Sequence, residues 1–151
     1  MSVIRLATSD DAADVARLMI GFRDWWSRSE PPDAAFHEGV RRVLADPNSD
    51  FLIAGEPPAA VCQLRYRYSI WTETLDCWLE DIFVEEHARG TGMGRALMEA
   101  AFERARERGC RRMELDVNEA NAAALALYES LGFSPWSDPP GGRNLLMRRR
   151  L

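Results

Sequence analysis

Between Leu79 and Arg95 the chain reads LEDIFVEEHARGTGMGR, the stretch whose residue types and spacing are best suited to chemistry. Gly90, Gly92 and Gly94 alternate with Thr91 and Met93, and Arg89 and Arg95 flank them. Glycines at the start of a helix let the backbone approach a ligand closely, and the unpaired N–H groups and positive dipole end found there favour phosphate. The same glycines would also make a plain strand-to-helix turn, so the motif alone supports two readings. Glu80 and Asp81, just upstream, offer carboxylates for proton transfer. Neighbouring strand residues face opposite sides, so only one of the pair is expected to reach a cleft. Downstream, Tyr128 shares a helical face with Ala124 and Leu131, a spacing that suits a core aromatic as well as a catalytic one.

Absences narrow the chemistry. All 19 basic residues of the 151 are arginine, which removes a Walker-type lysine and any lysine Schiff base. Histidine occurs only at His37 and His87, and no GxSxG is present, so no metal is expected and a hydrolase triad has little to draw on. A dinucleotide fingerprint begun at Gly90 would need Gly or Ala where Arg95 stands. Cys62, Cys77 and Cys110 are an odd number without CxxC spacing, consistent with reduced thiols. A net charge of −5 argues against nucleic acid as a partner, since that affinity rests on releasing phosphate counterions. No apolar run has the length of about 18 residues that spans a membrane, and the first residues lack a signal peptide's pattern, so a cytoplasmic protein is expected.

These residues need elements to position them. A strand over residues 3–7 leads through the cap candidates Thr8, Ser9, Asp10 and Asp11 to a helix ending near residue 22. Residues 24–32, with Trp25 and Trp26, read as a loop or a frayed helix end, and Asp33 is expected to cap a second helix to residue 45. Strands over 51–54 and 60–68 flank a turn at 55–58, and a connection over 71–76 precedes a strand over 77–84. The helix over 92–108 is the most regular: Met93, Leu97, Ala101 and Ala105 lie four apart, opposite Arg95, Glu99, Glu103 and Glu107. A half-buried strand over 112–117, a helix over 121–131 and a last strand over 144–149 follow. The order β-α-α-β-β-β-α-β-α-β predicts a mixed, mostly antiparallel α/β sheet flanked by helices, in one domain over 1–151.

The pattern R-x-x-G-x-G from Arg89 to Gly94, between a strand and a helix, resembles the acyl-CoA pyrophosphate loop of the GCN5-related N-acetyltransferases. ELDVNEANAAALALYESLGF, residues 114–133, is similar to that family's second block, and the layout of the first half agrees. The resemblance implies acetyl-CoA as acyl donor. Main-chain groups of Ile82, Phe83 and Val84 would bind its arm, and Arg89, Gly90, Thr91, Gly92, Met93, Gly94 and Arg95 its pyrophosphate. Asn121 would contact the arm near the thiol, and Tyr128 would protonate the departing thiolate.

A tyrosine of pKa about 10 is protonated at neutral pH and able to donate. A primary amine of pKa about 10.4 must lose a proton before it attacks, and the resemblance points to Glu80 for that, since family members that use a strand carboxylate often have Glu near this position. Trp26, beside Trp25, lies where the family often builds its acceptor pocket. The LEDIFV run and the acids Glu73, Asp76, Glu80, Asp81, Glu85 and Glu86 resemble the diamine (spermidine/spermine-type) branch, in which Asp81 would help attract a cationic acceptor. The implied activity is acetyl transfer to a small-molecule primary amine by direct attack in a ternary complex, in a homodimer. A protein or peptide acceptor, or a non-catalytic acyl-CoA-binding module, would carry the same loop.

Overall fold

The computed structural model describes residues 3–139 and 141–151. The chain divides into two compact units, Met1–Leu115 and Asp116–Leu151.

In the first unit, β1 (Ile4–Leu6), β2 (Ser49–Ala54), β3 (Ala60–Ser69), β4 (Thr74–Val84) and β5 (Met113–Leu115) form one sheet in that spatial order. All neighbours are antiparallel except β4 and β5, which the crossover helix α3 (Met93–Glu107) joins in parallel. Cross-strand partners share a face, which sorts the sheet's residues. Phe51, Ile53, Val61 and Phe83 lie on one side and are buried with Val15, Ala16, Leu18 and Met19 of α1 (Ala12–Trp25) and Val40 of α2 (Asp33–Ala45). Leu52, Cys62, Leu64, Tyr66, Cys77 and Leu79 lie on the other, beneath Leu97, Met98, Ala101 and Ala105 of α3. The stripe of apolar residues four apart read from the sequence thus lies, from Leu97 on, on the buried face of α3.

Several element ends differ from expectation, each because a tertiary partner outweighs a local signal. α1 runs past Phe22 to Trp25, where Phe22, Trp25 and Trp26 pack on one another with centroids 4.7–6.4 Å apart. Asp33 is the first residue of α2, not its cap; its carboxylate accepts from Arg23, 2.8 Å away. β2 starts at Ser49, since Asp50 is satisfied by the Tyr66 hydroxyl and Arg104, both at 2.8 Å. β4 starts at Thr74 instead of Cys77, its buried Asp76 accepting from Arg112 at 2.5 Å and Thr72 at 2.9 Å.

The second unit holds α4 (Ala122–Ser130) and an isolated bridge, Trp136 to Arg143. The strand expected over 144–149 is not formed. Leu145, Leu146 and Met147 are consecutive apolar residues and Arg148, Arg149 and Arg150 consecutive basic ones, so no period of two selects a face for burial, and all six are exposed.

Candidate active site

β4 ends at Val84, a 3-10 turn covers Glu86–Ala88, and α3 begins at Met93. Between them Gly90 and Gly92 take φ of +74° and +86°, the left-handed region that disfavours side chains. A Cβ at either would meet no atom within 4 Å, so the space over the loop is open. The first intrahelical bond runs from the Ala96 N–H to the Gly92 carbonyl. Among the described residues, no acceptor takes the N–H groups of residues 90–94. Such a row of oriented donors at a helix start fits an anion carrying several oxygens. The loop is latched from within: the Thr91 hydroxyl donates to the Ala88 carbonyl at 2.6 Å. The Arg89 side chain turns the other way. Its Nε donates to the Val84 carbonyl at 2.9 Å, and its guanidinium lies 5.4 Å from the Trp25 ring and 5.7 Å from that of Phe83.

β4 itself changes character half-way. β5 pairs only with residues 77–79, and from Glu80 to Val84 that edge has no ladder partner among the described residues. On the other edge the register with β3 shifts: Gln63 opposes Asp81 and Leu64 opposes Leu79, which leaves Glu80 as the extra residue of a β-bulge. The expectation that Glu80 and Asp81 face opposite sides fails here. Asp81 shares a face with its partner Gln63, and Glu80 forms an ion pair with Arg65, on that same face. The bulge breaks the alternation on which the expectation rested. Both carboxylates therefore belong to the α1/α2 side of the sheet, beyond its apolar core.

On that side, next to the end of β4, Gly21, Phe83, Glu85, Glu86 and His87 line a cleft. Phe83 stacks on Phe22 at 5.5 Å, continuing into Trp25 and Trp26, which stay partly exposed. Three of the six acids expected to attract a cation are matched by arginine: Asp76 is 2.5 Å from Arg112, Glu85 is 2.5 Å from Arg17, and Glu80 meets Arg65. Among the described residues, no three His, Cys, Asp or Glu side chains are grouped to hold a metal. Burial pushes the Cys77 thiol up to about 12 and those of Cys62 and Cys110 up as well, which leaves them protonated and poorly nucleophilic.

The sheet, the open amide row and the bulged strand describe a fold that is also visible by comparison. The model of the acetyltransferase (GNAT) family matches residues 17–133. The chain belongs to that family. GNAT relatives include the aminoglycoside N(6')-acetyltransferase type 1 of Stenotrophomonas maltophilia, 32% identical over 136 residues that cover 86% of this chain and 84% of that protein. The thialysine N-epsilon-acetyltransferase of Sus scrofa is 32% identical over 111 residues, 70% of this chain and 60% of its own. A crystal structure of an Arthrobacter sp. FB24 protein superposes with a TM-score of 0.86 at 30% identity, covering 99% of this chain and 95% of that one. The chain spans less than two thirds of the length of other curated relatives, 18% in the mycothiol acetyltransferase of Thermobispora bispora.

The second GNAT block has its own local logic. The Asn121 side chain caps α4, accepting from the Ala124 N–H at 3.3 Å. At the other end Gly132, with φ of +91°, closes a Schellman motif: the Phe133 N–H donates to the Tyr128 carbonyl at 3.0 Å and the Gly132 N–H to Glu129 at 3.1 Å. That turn brings the Phe133 ring edge-on to Tyr128, 5.8 Å between centroids, and Tyr128 is buried. Sequence reading missed Arg65, Arg67 and Trp78. The alternation of Arg65 and Arg67 was visible, but their partners on β4 depend on a register that the bulge alters.

Proposed function

We propose that this chain is an acetyl-CoA-dependent N-acetyltransferase, one domain over 1–151, that passes an acetyl group to a primary amine of a small molecule by direct attack in a ternary complex. The observation that carries the reading is the row of open amide N–H groups at residues 90–94, beside the ladder-free edge of β4. Those amides and Arg95 would hold the diphosphate. The free main-chain edge at Ile82, Phe83 and Val84 would bind the amide-rich arm as an added strand would be bound, and Asn121 the part nearest the thiol.

The chemistry then needs three proton transfers. At pH 7 only about 0.1% of a free amine of pKa about 10.4 is neutral, so the acceptor's ammonium must give up a proton. Glu80 takes it, directly or through water, while Arg65 fixes the carboxylate by its ion pair with Oε1. The amine nitrogen attacks the thioester carbonyl, the N–C bond forms, the C–S bond breaks as Tyr128 gives its hydroxyl proton to the leaving sulfur, and the nitrogen's second proton passes through water to the tyrosinate left behind, giving the neutral amide. Trp26 and Asp81 line the acceptor's side. Neutral thiols at Cys62 and Cys77 support direct transfer over an acyl-cysteine route. The reading extends to a cytoplasmic homodimer.

A thiol-release assay across polyamines, aminoglycosides, amino acids and peptides tests it. The enzyme binds CoA and releases thiol with an amine class; binding without release would leave a non-catalytic module. Tyr128→Phe is expected to lower turnover about a hundredfold with CoA affinity kept; unchanged turnover at saturation would reject the acid role.

A further inference from the structure

We infer that the acceptor amine also carries an anionic group, recognised by Arg67 on a platform of Trp78, with several bonds between amine and anion. This rests on the proposed transferase reading, because Glu80 fixes where the amine must lie.

The α1/α2 side of the sheet has two parts. Phe51, Ile53, Val61 and Phe83 are covered by the helices. Further along the β3–β4 pair the same face carries Gln63, Arg65, Arg67 and Trp78, and there the Arg65 and Arg67 side chains are 56% and 63% exposed. The shelf begins at the bulge that presents Glu80. An acceptor bound there meets Arg65, Trp78 and Arg67 in turn.

The acids of this face are already engaged. Glu80 pairs with Arg65, and Asp76 with Arg112 at 2.5 Å. Glu114 lies between Arg112 at 3.6 Å and Arg67 at 3.7 Å, and Asp81 has a partner of its own. Arg67 differs from the other guanidiniums there. It sits 5.6 Å from the Trp78 ring, and it makes no hydrogen bond among the described residues, since 3.7 Å to Glu114 is too long for one. A planar fork of N–H donors, oriented by an aromatic face and engaged only in a long ion pair, suits a carboxylate or phosphate.

The spacing selects among amines. Arg67 is two residues along β3 from Arg65, the ion-pair partner of Glu80, or about 7 Å at a strand's rise of about 3.3 Å per residue. An α-amino acid places amine and carboxylate on one carbon and meets only one end of the shelf. An ω-amine with a distant anion meets both.

Two pairs of acceptors test the inference: lysine against 1,5-diaminopentane, and 5-aminopentanoate against pentylamine, each with acetyl-CoA and thiol release as readout. In the wild type the carboxylate-bearing member of each pair is expected to have a kcat/KM about tenfold or more above its partner. Arg67→Gln is expected to lower that ratio to near one, chiefly through KM for the carboxylate-bearing member. Higher kcat/KM for the diamine and pentylamine, or a ratio unmoved by Arg67→Gln, would overturn the inference. So would thiol release with polyamines or aminoglycosides but with neither carboxylate. If CoA itself fails to bind in calorimetry, the reading of the 90–94 loop is what falls, and the acceptor inference falls with it.

Discussion

The two halves of β4 show opposite treatments of the same backbone. Residues 77–79 are paired with β3 on one edge and β5 on the other, and the one buried acid, Asp76, is matched by Arg112 and Thr72. Among the described residues, 80–84 are paired on one edge only, carry a bulge, and run into a loop whose amides at 90–94 are unpaired. The first half spends both of its backbone edges on holding the sheet together. The second half leaves donors and acceptors facing open space, which a fold tolerates only where water or a ligand can reach them. The comparison teaches that the open backbone donors and acceptors begin where the ladder stops.

Variants in each half should therefore separate. The largest effect is expected from Gly92→Val. A β-branched residue disfavours φ of +86°, so the free loop relaxes, and regaining the binding shape costs about 1–3 kcal/mol. CoA affinity should fall about tenfold to a hundredfold, with little change in Tm because a side chain there meets no neighbour. Calorimetric titration and a thermal melt check both parts; a large loss of Tm with affinity kept would invert the comparison.

Arg112→Ala should do the reverse. It leaves Asp76, 2% exposed, with only the Thr72 hydroxyl, at a cost of about 1–3 kcal/mol; the discount from a fully buried pair reflects the 44% exposure of Arg112. Urea unfolding should show it, while CoA affinity stays near the wild-type value.

The smallest effect is expected far from β4, and it depends on pH. Arg5 and the Thr8 N–H hold the Asp11 carboxyl well below the usual carboxylate range. A depressed folded value means that the pair's contribution is complete above the unfolded value of about 3.9 and fades as the pH drops below it. Asp11→Asn should lower Tm slightly at pH 7, and the gap should close in acid. A gap that persists unchanged at low pH would show that packing, not charge, is involved.

Particular residues show how far sequence reading reaches. The burial of Leu97, Met98, Ala101 and Ala105 follows from spacing along one helix, because a helix carries its periodicity within itself. The loop at residues 90–94 was legible for the same reason: glycine freedom and helix-end donors are local properties. The bulge at Glu80 was not legible, since it is defined by residues on β3 more than a dozen positions away, and no glycine marks it. The polar starts of β2 and β4 were hidden because Asp50 and Asp76 are tolerated through Arg104 and Arg112, far along the chain. The missing last strand is the converse case: strand-forming residues without a pattern that selects a face.

The sequence by itself determined the order of elements as far as α4, the stripe of α3 and the composition of the anion-binding loop, all of them settled by interactions within about one turn of helix or one strand. Only the tertiary structure decided that Glu80 and Asp81 share a face, that Arg65 meets Glu80, and that Arg67 stands over Trp78. Those facts depend on register between strands, which many local sequences permit and which the packing of two helices on one face and one on the other selects.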